Sequence, residues 1–229
     1  MGTMDLQIAR KNASLRIQVE DKLRQAISSG RFQPGQRLVE RELCELIGVG
    51  RTSIREALRQ LEAEGLITSY PHRGPVVSTI SYDEAVQLYR VRALLESFAG
   101  QEFAEKGSDE DIAALLNTVE EFAAAADRGS STRIIEAKTA FYDCLMTGSK
   151  NVFVKQMLTS LHNRVTLLRL TSMTQPGRLQ HSVSEIRGIA AAIQQRDGEK
   201  AAALCKQHIE TAAKVALDYL SKNPVETPE

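Results

Sequence analysis

Residues 41–59 read RELCELIGVGRTSIREALR and contain two short helical patterns joined by the turn Gly48-Val49-Gly50. In the second pattern, apolar side chains recur at positions 54, 58 and 61 along one face, whereas Arg51, Arg55 and Arg59 recur every four residues. An arginine can chelate the O6 and N7 atoms of guanine or clamp a phosphate. The pattern therefore predicts a helix that buries one face and offers the other to DNA, with a merely solvated basic face as the alternative.

The start of this helix carries hydroxyl side chains. Thr52 and Ser53 lie in its first turn, where backbone N–H groups and the helix dipole favour a phosphate or a base edge. Ser53 and Glu56 have the spacing of a capping box, which predicts that Ser53 caps the helix.

Working outward, the surrounding residues predict a small mixed module over residues 1–80. Apolar residues at 19, 23 and 27 predict a first helix ending at Gly30. We expect helices over about 40–47 and 52–64, the former with Leu43, Leu46 and Ile47 pointing inward. Strand-like runs over 66–70 and 76–80 flank a turn at 71–75. Three helices and a hairpin predict a winged helix-turn-helix.

The pattern of the sequence changes at Ser81, where strand-like runs give way to long helical stretches. Proline is absent between residues 76 and 175, and six amphipathic stretches of helical period follow. Ser81, Ser108, Ser130 or Ser131, and Asp197 stand where N-caps are needed. The fold class predicted is mainly α, with an all-α six-helix bundle over 81–222. Residues 223–229, with two prolines, are expected to form a flexible tail.

Composition excludes several classes of protein. The 229 residues carry equal numbers of basic and acidic side chains, but residues 1–79 have a net charge of +3 and the remainder −3. No run of about 18 apolar residues predicts a membrane span, and the first residues lack the pattern of a secretory signal. The three cysteines are too far apart for a disulfide framework, so a cytoplasmic location is expected. No catalytic constellation is present, and we expect no enzyme.

Residues 16–79 resemble the GntR family of bacterial transcriptional regulators. The matching positions are Leu23, Ile27, Gly30, Pro34-Gly35, Leu38, Glu40, Leu43, Leu46, Gly48-Val49, Arg51-Thr52, Arg55-Glu56-Ala57-Leu58, Leu61, Glu64-Gly65-Leu66 and Arg73-Gly74. The resemblance implies that Arg41, Arg51, Thr52, Ser53 and Arg55 face the major groove and its phosphates. It also implies that the wing, His72-Arg73-Gly74, reaches the minor groove. Gly50 and Ser53 depart from the family pattern of Ser or Thr and Pro.

Residues 82–222 resemble the FadR-type C-terminal domain of that family, with Arg92, Glu96, Asn151 and the run from Glu185 to Asp197 matching. Many members bind a divalent metal there. The corresponding positions are Lys138, Tyr142, Ile186 and His208, so one imidazole of the ligand set remains. We therefore expect no metal and no other cofactor, although a metal-dependent regulator is kept as an alternative.

The replacements point to a different ligand. Lys138 is in phase with apolar residues of its helix, and Arg92 lies on an inward stripe of the first bundle helix. Arg164 is expected to lean inward as well. A buried ammonium needs an anion or a lowered pKa. One interpretation is a cavity for a small carboxylate, with Tyr142 and His208 forming hydrogen bonds. The other is internal pairing of Lys138 and Arg92 with Glu96 or Glu136.

The sequence thus predicts a ligand-responsive DNA-binding regulator, most often a repressor in this family. It would bind a palindromic operator as a homodimer, joined through the helical domain, with no membrane partner. The alternative is a helical small-molecule-binding protein or enzyme whose N-terminal module does not read DNA.

Overall fold

The computed structural model describes residues 11–173 and 177–223. The chain divides into two compact units between Ser78 and Thr79, two residues before the boundary expected from the sequence. The expectation for the C-terminal tail concerns residues that, apart from Asn223, lie outside the described part of the chain. In the part of the chain that the structure describes, none of the helices combines the length and the hydropathy of a membrane span.

The N-terminal unit is a winged helix-turn-helix, as predicted. Its described elements are α1 (Lys11–Ser28), α2 (Glu40–Ile47), α3 (Arg51–Ala63), β1 (Ile67–Tyr70) and β2 (Gly74–Val77). The strands pair antiparallel, with Ile67 opposite Val77 and Tyr70 opposite Gly74. His72 and Gly74 have positive φ angles of 62° and 79°, which close the turn between the strands.

The core of this unit lies between α1 and α3. Val19, Leu23 and Ile27 of α1 are buried, as are Ile54, Leu58 and Leu61 of α3. Leu43 of α2 is buried too, but Leu46 is 51% exposed, so its predicted inward position is wrong. The eight residues of α2 form only about two turns, so the helix buries little more than Leu43. Leu46 lies instead at the edge of a groove beside α1.

The turn between α2 and α3 follows from its two glycines. Gly48 ends α2 in the left-handed conformation, with φ 76°. Gly50 precedes α3 as its N-cap, and no side chain caps this helix. The predicted capping box of Ser53 and Glu56 is therefore wrong, because the helix begins two residues before Ser53. In the described part of the chain, the start of α3 therefore lacks the side-chain cap that would satisfy a first-turn N–H group.

The second unit is all α-helical, as predicted. It consists, in the part of the chain described, of α4 (Tyr82–Lys106), α5 (Asp109–Arg128), α6 (Ser131–Gly148), α7 (Val152–Met173), α8 (Arg178–Gln194) and α9 (Gly198–Lys222). Ser81 and Ser108 form capping boxes with Glu84 and Asp111, and the Asp197 side chain caps α9. Ser130 is the N-cap residue of α6 but makes no side-chain cap bond.

Small residues bring the bundle helices close together. α4 and α9 pack along each other, and at Gly100 the two helices approach so closely that Cys205 fills the space a Cβ would need. The ring of Phe103 packs against Gly148 at the end of α6. The core around these contacts includes Leu115, Phe122, Phe141, Leu158, Ile186 and Ile193.

Candidate nucleic-acid interface and buried polar cluster

The exposed side of α3 carries the basic residues singled out in the sequence. Arg51, Thr52, Arg55 and Arg59 are exposed, and Ser53 is partly buried. On the opposite side Ile54 and Ala57 are fully buried, which fixes the rotation of the helix about its axis. The arginines therefore point to solvent, as a groove-reading helix requires.

The start of α3 adds backbone donors to these side chains. Its N-cap is a glycine without a side-chain bond, and its first turn contains no acidic residue. Free N–H groups and the helix dipole at such an end attract phosphate. Arg41 is exposed in the first turn of α2, next to Glu40 in the sequence.

Arg55 is held by a neighbouring helix. Its Nε donates to both carboxylate oxygens of Glu40, the first residue of α2, at 2.9 Å each. The contact lies on the exposed side, since the Arg55 side chain is 59% exposed. Glu40 was not among the functional residues predicted from the sequence, and its place directly before Arg41 is the one local signal that pointed to it.

The wing is a separate exposed feature of the same unit. His72 and Arg73 are exposed at the tip of the hairpin, and Gly74 is half-buried. A hydrogen bond of 3.0 Å from the Ser69 backbone N–H to Glu62 Oε1 ties the base of the hairpin to α3. This hydrogen bond links the wing directly to α3.

A cluster of polar side chains lies inside the helical unit. This buried polar cluster comprises Arg92, Glu96, Lys138, Tyr142, His162, Arg178, Ser182, Glu185 and His208, which come from α4, α6, α7, α8 and α9. All are buried except Glu185, whose side chain is 12% exposed. The structure brings together four of the five predicted effector residues and Glu96, which was a predicted partner of Arg92 and Lys138. It adds four residues that were not predicted there: His162, Arg178, Ser182 and Glu185.

Arg92 is paired internally, which was one of the two interpretations. Its Nε donates to Glu96 Oε1, and the same oxygen lies 2.9 Å from His162 Nε2. The guanidinium also stacks over the Tyr142 ring, with 5.1 Å from Cζ to the ring centroid. The nearby Arg92 and His162 hold the pKa of Glu96 at about 2 despite burial, so this carboxylate is ionised.

A second chain of hydrogen bonds runs through His208. Its Nδ1 lies 2.7 Å from Glu185 Oε2, which also accepts from Arg178 Nη1 at 2.8 Å. Its Nε2 lies 3.0 Å from the Tyr142 hydroxyl. Burial lowers the pKa of His208 to about 4, so the ring is neutral at pH 7. Since the ionised Glu185 can only accept, Nδ1 donates to it and Nε2 accepts from Tyr142.

Lys138 lies in the same interior. Its Nζ donates to Ser182 Oγ at 3.0 Å and lies 5.8 Å from the centroid of the Phe122 ring. Its positive charge helps to lower the pKa of His208 after the larger effect of burial. The predicted inward position of Lys138 is confirmed. That of Arg164 is wrong, because the buried stripe of α7 runs through Leu158, His162 and Val165 and leaves Arg164 exposed.

The residues at the family's metal positions do not fit a divalent metal. Lys138 is a cation, and the buried Ile186 has no donor atom. The one remaining imidazole, His208, uses its Nε2 lone pair for Tyr142 and its Nδ1 proton for Glu185. Throughout residues 11–173 and 177–223, there is no group of three or more His, Cys, Asp or Glu side chains that could hold a metal ion.

Comparison with known proteins identifies both units. The profile described as bacterial regulatory proteins, gntR family, matches residues 15–77, and that of the FCD domain matches residues 87–211. The uncharacterized HTH-type transcriptional regulator YdhC of Bacillus subtilis is 28% identical, over 84% of this chain and 85% of that protein. The HTH-type transcriptional regulator McbR of Escherichia coli is 27% identical, over 82% and 86%.

Solved structures show the same architecture. The structure of E. coli McbR/YncC covers 95% of this chain and 100% of its own, with a TM-score of 0.80 and 23% identity. That likeness shows the fold alone. The matched profiles and the two relatives, together with the exposed basic helix, show that the protein is a DNA-binding transcriptional regulator. The chain belongs to the gntR family of bacterial regulatory proteins, with a C-terminal FCD domain.

Proposed function

We propose that this protein is a cytoplasmic, ligand-responsive repressor that binds a palindromic operator as a homodimer and releases it when a small organic acid enters the helical unit. The observation that carries the DNA-binding part is the exposed arginine face of α3 beside a helix start without a side-chain cap. A relative named as the HTH-type transcriptional repressor GlaR of E. coli, 25% identical over 88% of this chain, supports the repressor role.

On this proposal α3 enters the major groove, where Arg51 and Arg55 contact base edges. Arg41, Thr52, Ser53 and Arg59 bind the flanking phosphates, which adds affinity without sequence information. His72, Arg73 and Gly74 of the wing contact the adjacent minor groove. The structure supports these roles through the exposure of the arginines and of the wing tip.

Operator binding by single-residue variants tests the assignment. Arg51→Ala and Arg55→Ala should each weaken binding by about 1–3 kcal/mol, the typical worth of a bidentate guanine contact. Lys22→Ala is the matched control, since it removes one positive charge from the exposed side of α1. If both arginine variants fold and bind the operator like the control, the DNA-reading assignment is wrong.

For the effector we propose a small carboxylate bound in the buried polar cluster. Among the described residues the cluster contains three basic side chains, Arg92, Lys138 and Arg178, against the carboxylates of Glu96 and Glu185. Within the same described part, Nη2 of Arg92 and Nη2 of Arg178 are buried without a hydrogen-bond partner. Buried guanidinium donors gain most from an anionic acceptor. Tyr142 and His208 supply further polar contacts.

A lysine substitution separates effector binding from DNA binding. Lys138→Met should abolish the calorimetric binding of a panel of small organic acids, and their effect on operator release, while affinity for the operator stays unchanged. Lys155→Met, which changes an exposed lysine of α7, is the control. Stoichiometric metal that survives dialysis, and that is lost when His208 is replaced, would contradict the carboxylate site.

We place the homodimer contact on an apolar surface of the helical unit. Val91, Leu94 and Phe98 are exposed along one face of α4, and Val152, Phe153 and Met157 are exposed near the start of α7. These helices run antiparallel, since Phe103 packs beside Gly148 and Glu96 contacts His162. Large exposed apolar side chains on neighbouring helices are typical of an interface, and a symmetric dimer would cover them with its own copy.

A further inference from the structure

We propose that Glu40 is a positioning residue for sequence discrimination: it fixes the guanidinium of Arg55 so that the two terminal amino groups are available to one guanine. This inference rests on the proposed base contact by Arg55. It assigns the carboxylate of α2 a part in specificity although an acidic side chain cannot itself bind phosphate.

The geometry of the pair divides the donors of the guanidinium. Nε of Arg55 donates to both Oε1 and Oε2 of Glu40, at 2.9 Å each. Within the described chain, neither terminal nitrogen of Arg55 makes a hydrogen bond. Guanine offers two acceptors, O6 and N7, which match two parallel N–H donors. The end of the arginine that remains free is therefore the end that a guanine requires.

The pair does little for the fold itself. The side chains of Arg55 and Glu40 are 59% and 32% exposed, and an ion pair so open to water is screened. The two residues are 15 positions apart and belong to the two helices of the helix-turn-helix. The pair consequently sets the position of one side chain on the outer face rather than the packing of the helices beneath it.

Two effects on recognition follow from this arrangement. A free arginine samples many rotamers, and ordering it on binding costs entropy that the Glu40 contact removes beforehand. In addition, the carboxylate repels phosphates. A binding position on the DNA in which Arg55 contacts no base therefore has a less favourable binding free energy. Glu40 thus lowers affinity for unrelated DNA while it raises the preference for guanine at one position of each half-site.

The test compares Glu40→Gln with Glu42→Gln, which removes a neighbouring exposed charge on α2 that contacts no arginine in the described chain. The operator is first selected from random duplexes with the wild-type protein. Fluorescence anisotropy then measures Kd for that operator, for each single-base-pair variant and for unrelated DNA, at several salt concentrations. Arg55→Ala and the double variant Glu40→Gln/Arg55→Ala complete the set.

We expect both glutamine variants to bind unrelated DNA more tightly than wild type. Only Glu40→Gln should lose discrimination at one G·C pair per half-site, on the order of tenfold. Arg55→Ala should lose it at the same pair, and the double variant should be no worse than Arg55→Ala there. If Arg55→Ala loses that preference while Glu40→Gln keeps it as Glu42→Gln does, the role of Glu40 is refuted and base reading by Arg55 stands. If Arg55→Ala discriminates between base pairs of the operator as wild type does, both the role of Glu40 and base reading by Arg55 are refuted.

Discussion

At the scale of single residues, the internal pairing of Arg92 has a consequence for stability. Its pairing with Glu96 is fully buried, with both side chains 2% exposed. Arg92→Met would leave an ionised carboxylate in the interior, and breaking such a pair costs about 3–5 kcal/mol. Urea unfolding should show this loss, and Arg92→Met/Glu96→Met should recover most of it.

The control for this prediction is a pair of the same helix whose basic residue is exposed. Lys106 contacts Glu102 at 2.6 Å with its side chain 54% exposed. Lys106→Met should change the free energy of unfolding by at most about 1 kcal/mol. An equal loss in Arg92→Met and Lys106→Met would mean that the Arg92–Glu96 pair is not desolvated.

His208 predicts a pH dependence of stability. Burial is the main reason that its pKa falls from 6.5 to about 4. The folded protein therefore binds this proton more weakly than the unfolded chain does, and the free energy of unfolding falls as pH drops from about 6.5 to about 4. The slope is at most about 1.4 kcal/mol per pH unit for one proton. Glu185, with its pKa lowered to about 2, acts in the same direction at lower pH.

Thermal melts between pH 7 and pH 4.5 check this slope. His208→Gln keeps a neutral polar side chain at the site but has no proton to gain, so its melting temperature should depend less on pH than that of wild type. The remaining histidines are common to both proteins and cancel in the difference. Identical slopes would contradict the lowered pKa.

At the scale of elements, the close approach of α4 and α9 depends on one glycine. A Cβ at Gly100 would lie 2.6 Å from Cys205 Sγ and 3.3 Å from the Ala201 carbonyl oxygen. Gly100→Ala should therefore destabilise the helical unit by about 1–3 kcal/mol, as overpacking does. Gly188→Ala on α8 is the control, since its nearest atom would be 3.8 Å away. It should be neutral, or stabilising by up to about 1 kcal/mol through helix propensity.

Chemical unfolding of both alanine variants gives the comparison. Gly100→Ala/Cys205→Ala should recover part of the loss, because the thiol is the closer of the two obstacles. Equal stability of Gly100→Ala and Gly188→Ala would show that the two helices can separate at no cost.

At the scale of the whole molecule, the apolar surface predicts the assembly state. Leu94 is 68% exposed in the single chain, and a charge there would be buried at the proposed dimer contact. Leu94→Glu should shift the solution mass at micromolar concentration from two chains to one. It should also weaken operator binding, since two linked heads bind a palindrome with the advantage of effective concentration. Gln180→Glu, at an exposed position of α8, should do neither.

Light scattering and the operator assay together decide this point. A wild-type mass near that of one chain would contradict the homodimer. A Leu94→Glu protein that remains dimeric would instead place the contact elsewhere on the helical unit.

The sequence by itself determined the elements and most of their buried faces. Helical periodicity, serine and aspartate caps and glycine stops act within a few residues, so α1 to α9, the wing and the exposed face of α3 could be predicted. They did not decide which helix covers which face. The exposure of Leu46 and Arg164 depended on that, as did the pairs Arg55–Glu40 and Arg178–Glu185.

Only the tertiary structure decided the chemistry of the buried polar cluster. Its members lie on five helices and up to 66 positions apart along hydrogen bonds such as Tyr142 to His208. A period of 3.6 residues indicates that Lys138 points inward, but it carries no information on the partner that meets it there. That partner depends on how the helices pack, and helix packing is set by contacts between residues that are far apart in the sequence.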